Sequence, residues 1–324
     1  MLQRLLIAFA LLSISLGAAG AQQRAPQESA ALRAQILLDR ARISPGPIDG
    51  RMGKNTQLAI RAFQLKEGMK VTGQPSDAMF KRLESEDRPL LQDYELTQED
   101  VSGPFLDEVP TSMQEMAKLD RLSFTGAKEK LGEMFHMDTD FLERLNPGVD
   151  FSKPGTTIRV ADVVRPKPGK AGRIEVDAEE SIVRVYGADD QIIAVYPATV
   201  GSSATPSPSG THKVTRIAKE PDYTYDPKKL AFEGVDATEP FTIPPGPNNP
   251  VGLVWIALDS EGYGIHGSPQ PEAIRRQASH GCVRLTNWDA LDLLAMVQPG
   301  IEVAFVSGGE TQRSDQEEQR QPSR

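Results

Sequence analysis

Apolar residues at helical spacing fill the first part of the chain. Residues three and four apart predict one helix over Ala30–Arg40, a second whose apolar positions lie between residues 58 and 65, and a short third one over Asp77–Leu83. Turn-forming Pro and Gly residues separate these segments. The pattern predicts a small three-helix unit over residues 31–84.

The middle of the chain alternates between acidic and amphipathic stretches. Residues 84–100 are strongly acidic, which predicts a linker or a surface helix. Further on, two helical segments meet at His136, which we expect to be structural, and the sequence Asn146-Pro147-Gly148 ends the second. A short strand follows at Thr156–Val160. We expect a second small unit over residues 119–162.

Beyond a Pro-rich linker at residues 165–170, the hydrophobic period changes from helical to two. The pattern predicts a helix capped by Asn287 and ending near Met296, and strands at residues 174–176, 182–186, 192–195, 253–258, 263–266 and 301–306. The C-terminal domain, residues 173–306, is therefore expected to be mostly β, and the whole chain a multidomain α+β protein. The polar residues 307–324 predict a disordered tail.

The N-terminal end has the pattern of a secretory signal peptide over residues 1–21. Arg4 precedes an apolar run over residues 5–16, and Ala19-Gly20-Ala21 offers a small-residue cleavage site. The alternative is a membrane anchor, which would need a longer apolar run. We therefore expect an exported protein whose mature form has no membrane span.

Length and charge narrow the possible roles. The chain has 324 residues, which favours two or three domains, and its formal net charge of −9 argues against a nucleic-acid partner. A single cysteine in an exported protein cannot form an internal disulfide, so the thiol is either buried or reactive.

The residues suited to thiol chemistry lie together in the segment from Gly264 to Asn287. The segment contains the only cysteine, two of the four histidines, and a serine, a glycine and an arginine near the thiol: Cys282, His266, His280, Ser279, Gly281 and Arg284. A thiol becomes a strong nucleophile as the thiolate, and a nearby imidazole is the usual base that produces it.

Four interpretations of this cluster compete. A zinc site would use one cysteine and two histidines, but no Cys-x-x-Cys or His-Glu-x-x-His pattern accompanies them. A papain-like protease has its cysteine before its histidine, whereas His266 precedes Cys282. A buried thiol in a non-catalytic binding protein leaves the neighbouring Ser279 and His280 unexplained. The fourth interpretation is acyl transfer by a Cys/His nucleophile.

The order and spacing of these residues resemble the L,D-transpeptidase catalytic domain, also called the YkuD domain. Its pattern is a His followed, after a variable stretch, by Ser/Thr-His-Gly-Cys-x-Arg or -Asn, and it matches His266 and the run from Ser279 to Arg284. The resemblance covers residues 173–306 and includes residues 200–214 and the sequence Asn249-Pro250-x-Gly252. It implies a mostly-β catalytic domain that needs no cofactor or metal.

The resemblance also implies roles for individual residues. Cys282 would be the nucleophile, and His266 would accept and return its proton. Ser279 or the backbone near Gly267 would orient the imidazole. The backbone N–H groups of Cys282 and Gly281 would bind the oxyanion, and the absence of a side chain at Gly281 would leave room for the acyl group. The implied substrate contacts are Tyr223 and three residues with a structural role as the alternative: His280, Arg284 and Trp255.

In the implied reaction, Cys282 attacks the bond between the diamino acid and the D-Ala of a peptidoglycan stem peptide and forms a thioester. An amine on another stem would then give a cross-link, and a lysine of an outer-membrane lipoprotein would give an anchored protein. Resolution by water would make the enzyme an L,D-carboxypeptidase. The implied processes are cell wall biogenesis and cell shape. The alternative from another class is a non-catalytic scaffold that binds the wall.

The two smaller units carry resemblances of their own. The first, residues 31–84, resembles a small peptidoglycan-binding domain through Ile48-Asp49-Gly50 and several later positions: Gly53, Thr56, Ala59, Ile60, Phe63, Gln64, Thr72 and Gly73. The second, residues 119–162, resembles a LysM-type glycan-binding module through the run Leu145–Gly148 and three later positions: Gly155, Ile158 and Val160. Together with the signal peptide, these resemblances imply a periplasmic, wall-associated protein.

Overall fold

The computed structural model describes residues 29–84, 88–201, 205–228, 235, 237–277, 279 and 281–306. The predicted signal peptide over residues 1–21 and the predicted tail over residues 307–324 lie outside this range. Within it, no helix combines the length and the apolar composition that crossing a membrane requires.

Three helices form the N-terminal unit near their predicted positions: α1 (Ala30–Arg40), α2 (Lys54–Lys66) and α3 (Asp77–Leu83). The hydroxyl groups of Ser29 and Ser76 accept backbone N–H groups at the starts of α1 and α3, which explains where those helices begin. The apolar faces of the helices meet in one cluster that includes Ile60 and Phe63.

The middle of the chain forms a β–α–α–β unit with a long insertion. Its elements are β1 (Leu91–Glu95), α4 (Gln98–Val101), α5 (Met113–Met116), α6 (Ala127–Met134), α7 (Thr139–Leu145) and β2 (Thr157–Ala161). Strands β1 and β2 are antiparallel neighbours. The helices on either side of His136 and the strand after them confirm the predicted elements.

The prediction of a linker or surface helix over residues 84–100 is wrong, because this stretch contains β1 and α4. Leu91 and Leu96 are buried in the core of the middle unit, whereas Asp93 and Glu95 are exposed. Asp93 and Glu95 lie on the outer side of a paired strand, so the acidic composition of the stretch does not indicate that it forms a strand.

The C-terminal unit consists of ten strands and a helix: β3 (Arg173–Asp177), β4 (Ile182–Tyr186), β5 (Ile192–Pro197), β6 (Gly210–Lys219), β7 (Tyr223–Tyr225), β8 (Phe241–Ile243), β9 (Val254–Leu258), β10 (Gly264–His266), β11 (Val283–Arg284), α8 (Asn287–Met296) and β12 (Glu302–Val306). Among the described residues, eight strands form one sheet in the order β11-β10-β9-β6-β12-β3-β4-β5, and β7 and β8 form a separate ribbon. Helix α8 packs on the sheet through a cluster that includes Val183, Ile256 and Leu293.

The structure confirms the predicted strands of this unit and adds β6, β7, β8 and β11, which the hydrophobic pattern does not predict. Of the ten residues of β6, only Val214 is buried, so the strand has almost no apolar period. Helix α8 begins at the predicted place, but its N-cap is Thr286, whose hydroxyl accepts the Asp289 N–H. The predicted cap, Asn287, is the first helical residue, and its side chain forms hydrogen bonds with Leu253 and Glu133 instead of capping the helix.

The N-terminal unit covers one edge of the large sheet. The N–H of Val195, in the last strand β5, donates to the Arg42 carbonyl at 2.8 Å, and the Ser44 N–H donates to the Val195 carbonyl at 2.8 Å. Val195 also belongs to the apolar cluster that contains Ile60 and Phe63 of α2. The helical unit and the sheet are therefore packed against each other.

A polar junction joins all three units beside α8. The His136 ring stacks on Trp288 with the ring centroids 5.3 Å apart, and its Nδ1 lies 3.0 Å from the buried Asp39 carboxylate of α1. The Ser44 hydroxyl donates to Asp289 at 2.8 Å, and burial raises the pKa of Asp289 to about 7. These contacts agree with a structural role for His136.

Candidate active site

Two short parallel strands bring the predicted catalytic residues close together. β10 and β11 pair so that His266 lies opposite Arg284 and Ile265 lies opposite Val283. Successive residues of a strand point to opposite faces, and both Ile265 and Val283 are fully buried in the core. His266 and Arg284 therefore share the other face, and Cys282, directly before β11 and two residues from Arg284, is placed on that face as well.

The His266 imidazole is held in one orientation, with the residue 4% exposed. Its Nδ1 lies 2.6 Å from the Gly267 carbonyl, and because a carbonyl can only accept, Nδ1 carries the proton and Nε2 is free to accept one. Burial, aided by the charge of Arg284, lowers the pKa of His266 to about 4, although the Gly267 carbonyl opposes the change. The Trp255 ring of β9 stacks on the imidazole with centroids 5.5 Å apart.

The Cys282 thiol is partly exposed. Its Sγ lies 3.6 Å from the Gly262 carbonyl, to which a protonated thiol donates weakly. Burial raises the pKa of Cys282, while the Gly264 N–H and the charge of Arg284 oppose the rise. At neutral pH the site therefore combines a thiol with a neutral imidazole rather than a thiolate with an imidazolium.

Hydrogen bonds within the loop before Cys282 shape the backbone around the thiol. The Ser279 hydroxyl donates to the Cys282 carbonyl at 2.5 Å and accepts the Gly281 N–H at 3.2 Å. Of the two groups considered for orienting the imidazole, the Gly267 carbonyl makes the contact, and Ser279 is engaged with the loop. The Gly281 N–H is also occupied, which leaves the Cys282 N–H as the remaining oxyanion donor of the expected pair.

Gly281 has a backbone conformation and surroundings that only glycine fits. Its φ is +105°, in the region that L-residues avoid. A Cβ on Gly281 would lie 2.6 Å from Cε1 of Tyr263 and 3.0 Å from the carbonyl oxygen of Pro206. Packing within the protein therefore requires glycine here. Room for the acyl group, the role that the resemblance implies for Gly281, stays a prediction.

The Arg284 backbone is fixed by Thr199, but its side chain is available. The Arg284 N–H donates to the Thr199 carbonyl at 2.8 Å, and the Thr199 N–H donates back at 2.9 Å. Its Nε is buried without a hydrogen-bond partner, and no carboxylate of the described residues forms an ion pair with it. Burial raises the pKa of Tyr223 to about 12, and the charge of Cys282 raises it further.

Two of the remaining expectations concern metal binding and His280. In the part of the chain that the structure describes, no group of three or more His, Cys, Asp or Glu side chains is arranged to hold a metal ion. His280, which the zinc interpretation requires and which is also a candidate substrate contact, lies outside the described residues. Thr199 and Tyr263 are not predicted from the sequence, because Thr199 acts through backbone pairing and Tyr263 through its shape, and neither belongs to a recognisable motif.

Family models match two parts of the chain. Residues 171–305 match the model described as "L,D-transpeptidase catalytic domain" (YkuD), and residues 27–83 match the "Putative peptidoglycan binding domain" model. The chain therefore carries an L,D-transpeptidase catalytic domain, and the face shared by His266, Cys282 and Arg284 lies within it.

Curated relatives are also similar to this part of the chain. "Putative L,D-transpeptidase YkuD" of Bacillus licheniformis is 26% identical over 179 residues, which cover 55% of this chain and 92% of the relative. "Probable L,D-transpeptidase YbiS" of Escherichia coli K12 is 30% identical over 177 residues, which cover 53% of this chain and 57% of the relative. The chain thus spans nearly the whole of the first relative but little more than half of the second.

Solved structures give weaker matches. The catalytic domain of the L,D-transpeptidase from E. faecium is 24% identical, with 42% of this chain and 98% of that chain covered and a TM-score of 0.32. L,D-transpeptidase 3 from Mycobacterium tuberculosis is 18% identical, with 48% and 76% covered and a TM-score of 0.34. TM-scores this low do not support a structural conclusion.

Proposed function

We propose that this protein, whose C-terminal domain is an L,D-transpeptidase catalytic domain, transfers acyl groups between peptidoglycan stem peptides with Cys282 as the nucleophile and His266 as the base. The main support is the pairing of β10 with β11, which presents both residues and Arg284 on one face. The contact of His266 Nδ1 with the Gly267 carbonyl supports the role of Nε2 as the proton acceptor.

In the first step, Cys282 Sγ forms a bond to the carbonyl carbon between the diamino acid and D-Ala while its proton passes to His266 Nε2. The low pKa of His266 and the raised pKa of Cys282 favour this concerted transfer over a preformed ion pair. The Cys282 N–H stabilises the oxyanion, an interaction typically worth about 3–4 kcal/mol. The carbon–nitrogen bond then breaks, D-Ala leaves with the proton from His266, and a thioester remains.

In the second step, an acceptor amine attacks the thioester and passes its proton to His266. The carbon–sulfur bond breaks, and the Cys282 thiol forms again as it takes up that proton. An amine on another stem gives a cross-link, a lysine of an outer-membrane lipoprotein gives an attached protein, and water gives the L,D-carboxypeptidase reaction. We propose the stem amine as the acceptor, because the chain also carries a peptidoglycan-binding domain.

The substrate contacts follow from the availability of side chains on the site face. Arg284, whose Nε has no partner among the described residues, is suited to a carboxylate of the stem peptide. Tyr223 and His280 are proposed to line the cleft. Trp255 stacks on His266, so we assign it a role in fixing the imidazole as well as in contacting the substrate.

We propose that the two smaller units keep the enzyme on its polymeric substrate. The N-terminal unit binds peptidoglycan, and the middle unit, with its β–α–α–β order, is a LysM-type glycan-binding module. Cleavage after residue 21 and export to the periplasm complete the proposal. Anchoring to the wall would raise the local concentration of stem peptides near Cys282.

Mass spectrometry of the intact protein tests the proposed function. Wild type and Cys282→Ala are each incubated with a disaccharide that carries a tetrapeptide stem. We expect D-Ala release, a thioester adduct and stem dimers from the wild type, and none of these from Cys282→Ala. Hydrolysed stems without dimers would assign a carboxypeptidase. Wall binding with no adduct, no release and a thiol inert to iodoacetamide would refute the enzyme and leave a scaffold.

A further inference from the structure

The middle unit contacts the catalytic domain next to the candidate catalytic histidine. We infer that Glu133 of α6 and Asn287 of α8 are positioning residues: Glu133 holds the Asn287 side chain against Gly267, whose carbonyl orients His266. The inference rests on the proposed role of His266, and it gives the middle unit a part in the active site in addition to glycan binding.

Asn287 fills the space directly beside Gly267. The residue is fully buried, and its Oδ1 accepts the Leu253 N–H at 3.0 Å. A Cβ on Gly267 would lie only 2.4 Å from this oxygen, and a Cβ on Gly252 only 2.1 Å from it. The amide oxygen is thus wedged between two glycine backbones, so a movement of Asn287 would change the position of the Gly267 carbonyl.

Glu133 determines which way the Asn287 amide points. Asn287 Nδ2 donates to Glu133 Oε1 at 2.7 Å and to the Pro247 carbonyl at 3.1 Å. With both N–H groups occupied on that side, the amide oxygen must face Leu253 and Gly267. Without the Glu133 acceptor, one N–H of Asn287 Nδ2 would be left buried and unpaired, and rotation of the amide would become more favourable.

The carboxyl group of Glu133 is suited to this task because it is neutral. Burial raises the pKa of Glu133 to about 8, with a further rise from Glu129, although the Asn287 hydrogen bond opposes the change. At neutral pH the group therefore accepts the amide N–H without adding a negative charge near His266. A carboxylate there would raise the pKa of His266 and favour the imidazolium, which cannot accept a proton.

The Glu133 contact belongs to a larger seam between the two units. The Leu122 N–H donates to the Pro245 carbonyl at 2.9 Å, and the Asn248 N–H donates to the Leu122 carbonyl at 3.0 Å. Asn248 Nδ2 also donates to Glu129 Oε1 at 2.9 Å. The middle unit thus holds the segment that leads into β9, whose Trp255 stacks on His266.

The test compares Glu133→Leu, which removes the acceptor, with Glu133→Gln, which keeps an uncharged acceptor of the same shape. Glu143→Leu is the matched control, because Glu143 lies on the same unit and pairs only at the surface with Lys128 among the described residues. Each full-length variant is assayed for kcat and KM on the tetrapeptide substrate. Hydrogen exchange of the His266 Nδ1–H is measured by NMR on protein labelled with 15N-histidine, with the signal assigned from His266→Gln.

For Glu133→Leu we expect Nδ1–H exchange at least about tenfold faster and kcat about tenfold lower with little change in KM, within the roughly hundredfold that a misplaced catalytic group can cost. Glu133→Gln and Glu143→Leu should stay near the wild type. Unchanged exchange in a folded Glu133→Leu protein overturns the inference, even if kcat falls. If that variant does not fold, Asn287→Ser must show the faster exchange instead. Because exchange needs no turnover, an inactive wild type would refute the proposed function without deciding this inference.

Discussion

Acidification is expected to destabilise the protein through His266. Its pKa is about 4 in the folded protein and 6.5 ordinarily, so the folded state binds fewer protons than the unfolded state between these values. The stabilisation from keeping this imidazole neutral is complete above pH 6.5 and is lost as the pH falls through 4. The difference between the two pKa values corresponds to about 3 kcal/mol, and with the residue 4% exposed, solvent screening reduces this figure little.

Urea unfolding at a series of pH values measures this contribution. The free energy of unfolding is determined for the wild type and for His266→Gln between about pH 4 and pH 7, where the proton-binding difference of His266 is largest. Other titrating groups are common to both proteins and cancel in the difference. His212→Gln is the matched control, because His212 lies near the surface, where it pairs with Asp259.

We expect the stability advantage of the wild type over His266→Gln to shrink by about 3 kcal/mol across this range, and the His212→Gln comparison to lack that change. An advantage that grows on acidification would refute the reasoning, because it would mean that the folded protein prefers the imidazolium. If Cys282→Ala then abolished the growth, the thiolate would be its partner, and the site would hold an ion pair in place of a thiol and a neutral base.

Two further substitutions test the geometry around the site. In urea unfolding, Gly281→Ala should lower the free energy of unfolding by about 1–3 kcal/mol through backbone strain alone, and by more because its Cβ would meet Tyr263. Gly300→Ala isolates the backbone effect, because Gly300 has a φ of +95° and a Cβ there would have no atom within 4 Å. Equal losses from the two variants would contradict the packing argument. Arg275→Met should lower the free energy of unfolding in urea by about 1–3 kcal/mol, because Arg275 Nη1 donates to Asn55 Oδ1 across the units at 2.9 Å. Asn55→Asp keeps the acceptor and should preserve stability. An Arg275→Met variant as stable as the wild type would show that this contact does not hold the units together.

The sequence predicts the elements that carry many apolar side chains at helical or strand spacing. Helices α1 and α2 and strands β3, β4 and β12 follow directly from such patterns, and the Cys282 and His266 pair follows from residue type and spacing. β6 escapes because its residues are mostly exposed, and β1 because its acidic positions face outwards. The hydrophobic pattern reflects the burial of a segment's own side chains. Where few of those side chains are buried, the pattern does not predict the element.

Contacts made through the backbone, or between distant parts of the chain, were also out of reach. The Gly267 carbonyl was one of two options for orienting the imidazole, and residue types alone could not decide between it and Ser279. The sequence predicts Asn287 as a helix cap, whereas its side chain binds Glu133, 154 positions earlier in the chain. A linear pattern identifies which groups can react, but the fold determines which groups hold them in place.

The cover that the N-terminal unit provides for β5 bears on how freely such chains can exchange their binding modules. An uncovered edge strand offers unpaired backbone groups to any neighbouring chain and invites self-association. Here Arg42 and Ser44 occupy the groups of Val195, and α2 seals the apolar side. The N-terminal unit therefore also blocks the pairing of another strand with β5 at Val195, and a different module could replace it only if it covered the same edge.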